Sequence, residues 1–537
     1  MPETEEVTRH PQPIVLVRGY GGLRVEDEKR NAYQGFNDGT VYPHRRGENY
    51  IYEGLILRFL KSEWRFQDAT NVVNYYGRVR EEAVELPEDL QGLDAGCFSG
   101  HKIVIDPAMA LRLIRQPEDP CRTLWVFRYY DLDDREFRVY AEALVRLIQF
   151  IRALVRLKTG HETKVNIVAH SMGGLIVREA VQMVFGQGEA TRAINKIATL
   201  GTPHRGISFQ VVKRWIAIDG ADELERFNPD FQENRKNQES YLNFHKHFPV
   251  ERLLTVVGTN YQAYGTRPAS WANRWFGAEG EGGPTYNRSD GLVKQISAQI
   301  PGAPRTFVHK CHGGEDSLVT SREAFEIITR FFFGNIRVRL RLVDALIKRG
   351  RDAFGRSEYF FGVSVKPRRV DFELFHQSKE AENCYGPFRE RDLSDAGVAF
   401  AWAGGGRLIW EGWLDTRAIE RDPENKEKDL VVRLEFYVSE RDTRGIGFSD
   451  NVIFSGQIYV RALLPTARRG LSLALHTSED FSQSQFKKKM KPVEEGWQFS
   501  VGDRSFEGTL QLELERVPEY GPPEPLVWRA GEGKDQP

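Results

Sequence analysis

The sequence predicts an α/β fold followed by an all-β antiparallel, sandwich-like domain, because its hydrophobic period changes near residue 335. Before this position, short apolar runs alternate with stretches whose apolar residues recur at helical spacing. Strands that are apolar throughout are typical of a parallel sheet covered by helices on both faces. After this position, apolar and polar residues alternate with period two between turn-rich stretches, which is typical of an antiparallel sandwich or barrel.

The elements of the first region follow from these patterns in chain order. Apolar runs of buried-strand type predict six strands, at 14–17, 124–129, 165–169, 194–200, 253–257 and 306–308. Apolar residues at helical spacing predict three helices, at 137–157, about 174–185 and 321–333. Strands and helices in this alternation predict one parallel sheet with helices on each side.

The second region lacks helical patterns and reads as a series of short strands. Apolar and polar residues alternate, strictly or in part, at 336–342, 359–365, 370–375, 407–414, 430–438, 452–460 and 505–515. We therefore expect about eight strands in this region.

The domain organisation follows from the same change of period. We expect a tail at 1–13, an α/β domain at 14–334, a β domain at 335–517 and a loose tail at 518–537. Three insertions interrupt the α/β domain, at about 24–120, 206–250 and 261–288. Loops of this length in a compact domain are usually functional or carry structure of their own.

Composition limits the class of protein. The 537 residues are 40% apolar and 28% charged, which excludes a disordered or low-complexity chain. Lys plus Arg (75) balances Asp plus Glu (76), so we expect no nucleic-acid partner. Four cysteines are too few for a disulfide framework. Without a secretory signal or a long apolar run, we expect a cytoplasmic protein, and export by a specialised machine stays open.

A nucleophile-elbow pattern stands at 165–174, where the chain reads Val-Asn-Ile-Val-Ala-His-Ser-Met-Gly-Gly. The turn from strand to helix is so tight that the residues two before and two after the serine must be small, as Ala169 and Gly173 are. The hydroxyl of Ser171 then stands over a helix N-terminus, which favours developing negative charge. We predict Ser171 as a catalytic nucleophile; the alternatives are a chance match and an inactive hydrolase.

Three stretches resemble the α/β-hydrolase superfamily, in its branch of lipases and GPI-inositol-deacylase-like serine esterases. They are IVLVRGYGG (14–22), VNIVAHSMGGLIVREAV (165–181) and KIATLGTPHRG (196–206). The resemblance covers about 14–333 and implies an α/β-hydrolase fold with long insertions. The elbow departs from the common pattern by Ala169 in place of a glycine, which still meets the steric requirement. We recognise no family for 335–537.

The chain order of the family, serine then aspartate then histidine, implies the other two residues of a catalytic triad. Asp290, before Gly291, resembles the acid-bearing segment; a turn aspartate is the alternative. His312 resembles the histidine that precedes the last helix, while His309 stays open as the base. Asp316 is the weaker rival for the acid, because it follows the histidine.

An oxyanion hole needs two backbone N–H donors. We expect one from Met172, directly after the nucleophile, and one from Tyr20, in the loop after the first strand. Relatives often carry His-Gly in that loop, where this chain has Arg18-Gly19, and the change leaves a backbone donor in place. Arg18 is a candidate to bind a carboxylate or phosphate of the substrate, and a structural salt bridge is the alternative.

Aromatic residues in the insertions are candidates for binding substrate. Trp215 lies in the insertion where hydrolases often carry a lid, and Tyr261 and Trp271 lie in the third insertion. Aromatic side chains beside a catalytic pocket suit an acyl chain or a membrane surface. The alternative is that they pack as a satellite core, and it applies equally to the apolar patch around Tyr52. The lysines of 487–491 either touch phosphate head groups or form a solvated loop.

The sequence therefore predicts a serine hydrolase of carboxylic esters, with an ester or lipid substrate and an acyl-enzyme intermediate. We expect no cofactor and no metal site, because His170 and His204 lack metal-ligand spacing and Cys311 lacks a CxxC partner. His204 is expected to fix the loop around it. Two alternatives stay open: a non-catalytic lipid- or protein-binding protein on a hydrolase scaffold, and a secreted antibacterial lipase effector.

Overall fold

A computed structural model describes the chain over residues 11–19, 52–69, 85–99, 105–127, 136–206, 241–261, 288–313, 316–348, 357–368, 370–378, 381–388, 408–416, 429–441, 451–463, 471–479, 487–518 and 524–525. Two units are formed, an α/β unit mainly from residues before 326 and a β-rich unit mainly from residues after 325. The predicted bounds at 14, 334 and 517 remain predictions.

The apolar runs of the first region form one sheet, and nearly every residue in them is buried. Burial on both faces explains why these strands are apolar along their length. Its strands are β1 (Ile14–Val17), β2 (Gln67–Asp68), β3 (Thr123–Phe127), β4 (Val165–His170), β5 (Ile194–Leu200), β6 (Leu253–Gly258) and β7 (Arg305–Val308). The order is β2-β3-β1-β4-β5-β6-β7, and the neighbours from β2 to β6 are parallel. Six of the seven correspond to predicted strands, whereas the two-residue β2 offers no apolar run to detect.

Helices accompany the sheet where the apolar spacing predicts them, two more occur in the first insertion, and a short helix that was not predicted precedes β5. They are α1 (Glu53–Lys61), α2 (Pro107–Arg115), α3 (Phe137–Thr159), α4 (Met172–Glu179), α5 (Glu189–Ala193) and α6 (Arg322–Phe333). Helix α4 begins two residues before the predicted start and gives way to a π-helical turn at Ala180–Val184.

The helices α3 and α4 and the sheet share one apolar core. Val17, Trp125, Phe150 and Ile167 are among its members. The rings of Trp125 and Phe150 meet edge to face with centroids 6.0 Å apart, a favourable geometry for buried aromatic pairs. This covered parallel sheet has the α/β-hydrolase architecture that the sequence predicts. Within the described part of the chain, no helix has the length and apolar character needed to cross a bilayer.

The β-rich unit consists of two antiparallel sheets. Its strands are β8 (Ile336–Ile347), β9 (Glu358–Pro367), β10 (Tyr385–Phe388), β11 (Leu408–Leu414), β12 (Asp429–Arg441), β13 (Asn451–Leu463), β14 (Ser472–His476), β15 (Lys487–Lys489), β16 (Lys491–Val493), β17 (Gly496–Gly502), β18 (Phe506–Arg516) and β19 (Glu524–Pro525). One sheet has the order β10-β9-β12-β13-β14-β15, and the other has the order β11-β8-β18-β17-β16 with β19 beside β18.

The inner faces of these two sheets meet, as the predicted sandwich requires. Phe506 of one sheet packs against Phe361 and Phe454 of the other, with ring centroids 6.1 and 5.4 Å apart. The predicted strand at 370–375 is absent, because that segment is held by a single bridge between Phe375 and Val365. Short strands such as β16 and β19 bring the total in the described residues above the expected eight.

Candidate active site

Ser171 occupies the sharp turn between β4 and α4. Its backbone angles, φ 52° and ψ −128°, lie in a region that costs a non-glycine residue of order 1–3 kcal/mol. The elbow also tolerates no side chain two residues later, since a Cβ on Gly173 would lie 2.5 Å from the carbonyl oxygen of Val17. The turn therefore has the tight geometry that the sequence predicts. Strain of this kind is typical of a turn that presents a nucleophile.

His312 connects Ser171 to Asp290 through two hydrogen bonds. Its Nε2 lies 2.8 Å from Ser171 Oγ, and its Nδ1 lies 2.9 Å from Asp290 Oδ2. Because a carboxylate only accepts, Nδ1 donates its proton to Asp290 and Nε2 is left to accept the proton of the Ser171 hydroxyl. This tautomer is the one in which a histidine can act as a general base toward a serine.

Asp290 is fully buried and is held by its own loop. Its Oδ1 accepts hydrogen bonds from the backbone N–H groups of Leu292 at 3.1 Å and Val293 at 2.7 Å. Its backbone carbonyl accepts the N–H of His312 at 2.8 Å. The acid loop and the histidine loop are thus joined by backbone as well as by side chains, which fixes the distance between the two groups.

The two rival residues lie elsewhere. The His309 ring packs against the His376 ring, with centroids 5.7 Å apart. Asp316 is exposed and accepts a hydrogen bond from Lys310 Nζ at 2.7 Å. The geometry joins Ser171 to His312 and Asp290, and not to either rival.

The predicted oxyanion donors are described in part. Met172 is the first residue of α4, and N–H groups of a first helical turn have no acceptor within the helix. Tyr20 lies outside the described residues, directly after Gly19. Arg18 is buried, and its Nε donates a hydrogen bond to the carbonyl of Gly19 at 3.2 Å. Its contact with substrate remains a prediction.

Tyr52 and His170 form a second buried polar cluster that the sequence does not predict. Tyr52 Oη lies 2.8 Å from the backbone nitrogen of Gly19 and 2.7 Å from His170 Nδ1. His170 Nε2 lies 3.0 Å from the backbone carbonyl oxygen of His312. In the sequence, Tyr52 reads only as one member of an apolar patch, so no local signal identifies it.

Burial keeps this second cluster uncharged. It raises the pKa of Tyr52 to about 12. The pKa of His170 is lowered well below its usual value, first by burial and then by the positive charges that His312 and Arg18 carry when protonated. Both groups therefore remain neutral through the neutral pH range.

His204 has a structural position, as expected. Its Nε2 lies 3.0 Å from Thr199 Oγ1, and its backbone carbonyl accepts a hydrogen bond from Arg178 Nη1 at 2.7 Å. Burial, and then the charge of Arg178, lower the pKa of His204 well below its usual value. These contacts tether the loop at 201–206 to helix α4.

Two of the four predicted substrate residues, Trp215 and Trp271, lie outside the described ranges. Tyr261 is half-buried and follows Asn260, whose N–H donates to the carbonyl of Lys310 at 3.2 Å, two residues before His312. In the parts of the chain that are described, no three His, Cys, Asp or Glu side chains are placed to hold a metal ion.

Comparison with known proteins relates the elbow region to one family. The model of the PGAP1-like alpha/beta domain family matches residues 130–241, a range that contains Ser171. This match supports the resemblance to lipase-like α/β-hydrolases.

Solved structures with some similarity include two lipid hydrolases. The mature lipase BlEst2 of Bacillus licheniformis is 15% identical, over 60% of this chain and 92% of that one, with a TM-score of 0.30. Phospholipase PlaB of Legionella pneumophila is 11% identical, over 86% of this chain and 91% of that one, with a TM-score of 0.34. No curated protein matches the chain.

Proposed function

We propose that this chain is a serine hydrolase that cleaves carboxylic ester bonds, with lipids or phospholipids as its substrates. One observation carries the proposal: Ser171 stands on a strained elbow and is hydrogen-bonded through His312 to the buried Asp290. Nucleophile, base and orienting acid in such a hydrogen-bonded series define the chemistry of acyl transfer.

Acylation is the first half of the proposed reaction. Ser171 Oγ attacks the carbonyl carbon of the ester while His312 Nε2 takes the hydroxyl proton. The carbonyl π electrons move to oxygen and form an oxyanion. When the oxyanion collapses, the bond to the alcohol breaks, and the alcohol leaves with the proton from His312. The product is an ester of Ser171 with the acyl group.

Deacylation repeats these steps with water. His312 removes a proton from a water molecule, whose oxygen attacks the acyl-enzyme carbonyl. Collapse of the second oxyanion breaks the bond to Ser171 Oγ, which takes the proton back from His312. A carboxylic acid leaves, and the free enzyme is restored.

Electrostatics support both halves. The carboxylate of Asp290 lies 2.9 Å from the ring that becomes an imidazolium, and its burial strengthens the attraction. The oxyanion would form at the N-terminus of α4, where the Met172 N–H and the helix dipole favour negative charge. We assign the second donor to Tyr20, as predicted.

The lipid part of the proposal is supported by the match to the PGAP1-like alpha/beta domain and by the aromatic residues that the sequence places in the insertions. Contact with a membrane surface belongs to the same proposal.

Labelling with a fluorophosphonate probe tests the nucleophile. We expect rapid labelling of the wild type and none of Ser171→Ala, because only an activated serine reacts with such probes. Ser500→Ala, at an exposed serine of β17, is the matched control and should label like the wild type. Equal labelling of wild type and Ser171→Ala would contradict the assignment.

A series of esters and phospholipids of increasing acyl length then tests the substrate. We expect Ser171-dependent release of fatty acid that increases from water-soluble esters to phospholipid vesicles. Hydrolysis confined to short soluble esters would contradict the lipid part alone. A folded wild type that neither labels nor hydrolyses, with or without detergent, would instead support the non-catalytic binding protein.

A further inference from the structure

Tyr52 and His170 connect three parts of the active site through one continuous set of hydrogen bonds. The set runs from the backbone of Gly19, after β1, through Tyr52, beside α1, to His170, at the end of β4. It ends at the backbone carbonyl of His312 in the histidine loop. Tyr52 and His170 are each 5% exposed, so water does not compete for these bonds. This positioning network consists of Gly19, Tyr52, His170 and the backbone carbonyl of His312.

Only one arrangement of protons satisfies the positioning network. The carbonyl of His312 can only accept, so His170 Nε2 must carry a proton and donate it. In the neutral ring Nδ1 is then an acceptor and receives the hydrogen bond that the Tyr52 hydroxyl donates. This leaves the lone pairs of Tyr52 Oη free to accept the N–H of Gly19. Every bond therefore has one direction, and the network has no equivalent second state.

The network bears directly on the groups that react. A Cβ on Gly19 would lie 2.8 Å from the Cβ of Ser171, so the two residues are in close contact. Gly19 also precedes the residue assigned as the second oxyanion donor. At the other end, the network holds the backbone of the histidine that contacts Ser171 Oγ. A shift of the network would thus change the distances between nucleophile, base and oxyanion donor together.

We propose that Tyr52 and His170 are positioning residues for the ester hydrolysis, acting through Gly19 and the backbone of His312 rather than by contact with substrate. This inference rests on the proposed function and adds two residues to its machinery. It also gives the first insertion a role in catalysis, because Tyr52 lies in that insertion.

The test compares steady-state kinetics on a water-soluble p-nitrophenyl ester. Tyr52→Phe removes the acceptor of the Gly19 N–H and keeps the ring, and we expect kcat to fall about tenfold or more with KM within about twofold. Tyr385→Phe is the matched control, since it removes one buried, hydrogen-bonded hydroxyl in the β-rich unit and should leave kcat unchanged. Thermal unfolding of each variant verifies that the fold is retained.

A second pair of variants keeps the test decisive if Tyr52→Phe unfolds. His170→Gln offers an amide N–H in place of Nε2–H and should keep more of kcat than His170→Ala. If Tyr52→Phe does fold, the double variant with His170→Ala should lose little more kcat than His170→Ala alone, because both substitutions break the same network.

Each outcome separates this inference from the proposed function. Ser171-dependent turnover in the wild type with unchanged kcat in folded Tyr52→Phe would overturn the inference and leave the function intact. A rise in KM without a fall in kcat, or an equal loss in Tyr385→Phe, would also overturn it. A wild type without Ser171-dependent turnover would overturn both.

Discussion

Two buried aspartates, one in each unit, differ in what holds them. Their side chains are 1% exposed at Asp290 and 0% exposed at Asp429. Asp290 is held by the His312 ring and by two backbone N–H groups. Asp429 Oδ2 instead accepts hydrogen bonds from Arg461 Nε at 2.6 Å and Arg368 Nη2 at 3.2 Å.

The comparison shows that partners, and not burial, decide the role of a buried carboxylate. The negative charge of Asp429 is already matched by the guanidinium groups of two arginines. Asp429 therefore serves the fold, and its charge is not available to a second positive group. Asp290 has no guanidinium partner in the described structure of its site, and its charge is available to the imidazolium that the proposed reaction forms at His312. Substituting the same residue type in the two units should therefore affect different properties.

Asp290→Asn should produce the largest effect on activity. Its amide would donate to His312 Nδ1, so the ring proton would move to Nε2 and face Ser171, which is the wrong tautomer. We expect kcat to fall on the order of 10⁴-fold, with the fold retained. Turnover of a soluble ester together with the unfolding temperature measures both properties. Activity within tenfold of the wild type would show that Asp290 is not the orienting acid.

Asp429→Asn should act on stability alone. Loss of its charge removes the carboxylate that Arg461 and Arg368 both contact, and we expect the free energy of unfolding to fall by about 2–3 kcal/mol. Denaturant unfolding measures this change, and kcat below the unfolding transition should equal that of the wild type. A loss of kcat in the folded variant would contradict the division of roles between the two aspartates.

The pH dependence of stability extends the comparison to a buried group that stays neutral. The pKa of His204 is lowered in the folded state, so below about pH 6.5 the unfolded chain binds a proton that the folded chain does not. The free energy of unfolding should therefore fall as pH falls, by up to about 1.4 kcal/mol per pH unit for this residue. His204→Gln should make the decline shallower between pH 6.5 and 5. His161→Gln, at an exposed histidine, is the control and should follow the wild type.

The sequence predicts the sheet of the α/β unit well, because uniformly buried strands are apolar along their length. The sequence predicts strands less well where side chains are buried although the backbone is not paired in a sheet. Phe372 and Leu374 are both buried and two residues apart, yet their segment is not a strand, because only Phe375 forms a bridge. Very short strands such as β16 carry too few residues to show any period.

The site is predictable where its chemistry is local. The elbow around Ser171 follows from sterics within a few residues, and the order of the proposed triad follows from the resemblance to α/β-hydrolases. The choice between His309 and His312 needs the fold, because only two residues lie between them and only His312 reaches Ser171. Tyr52 lies 118 residues from its partner His170, so no spacing in the sequence connects them.

The smallest effect is expected where charges are redundant. On β8, Arg339 lies between three carboxylates, with contacts to Glu411 at 3.6 Å, Glu513 at 3.6 Å and Glu515 at 2.8 Å. Its side chain is 22% exposed, and Arg337 and Arg341 contact the same carboxylates. Arg339→Gln should therefore lower the free energy of unfolding by no more than about 1 kcal/mol, and less at high salt.

Denaturant unfolding at low and high salt measures this effect, and Asp429→Asn in the same unit provides the reference. We expect Arg339→Gln to lower the free energy of unfolding less than Asp429→Asn, because neighbouring arginines still neutralise the three glutamates. Asp429, in contrast, is the one carboxylate shared by Arg368 and Arg461 in these contacts. Equal losses for the two variants would mean that the Arg–Glu contacts on β8 act as one cooperative network. Neighbouring arginines would then not compensate for the loss of Arg339, and the number of charged partners alone would not predict how far removing a charge lowers the free energy of unfolding.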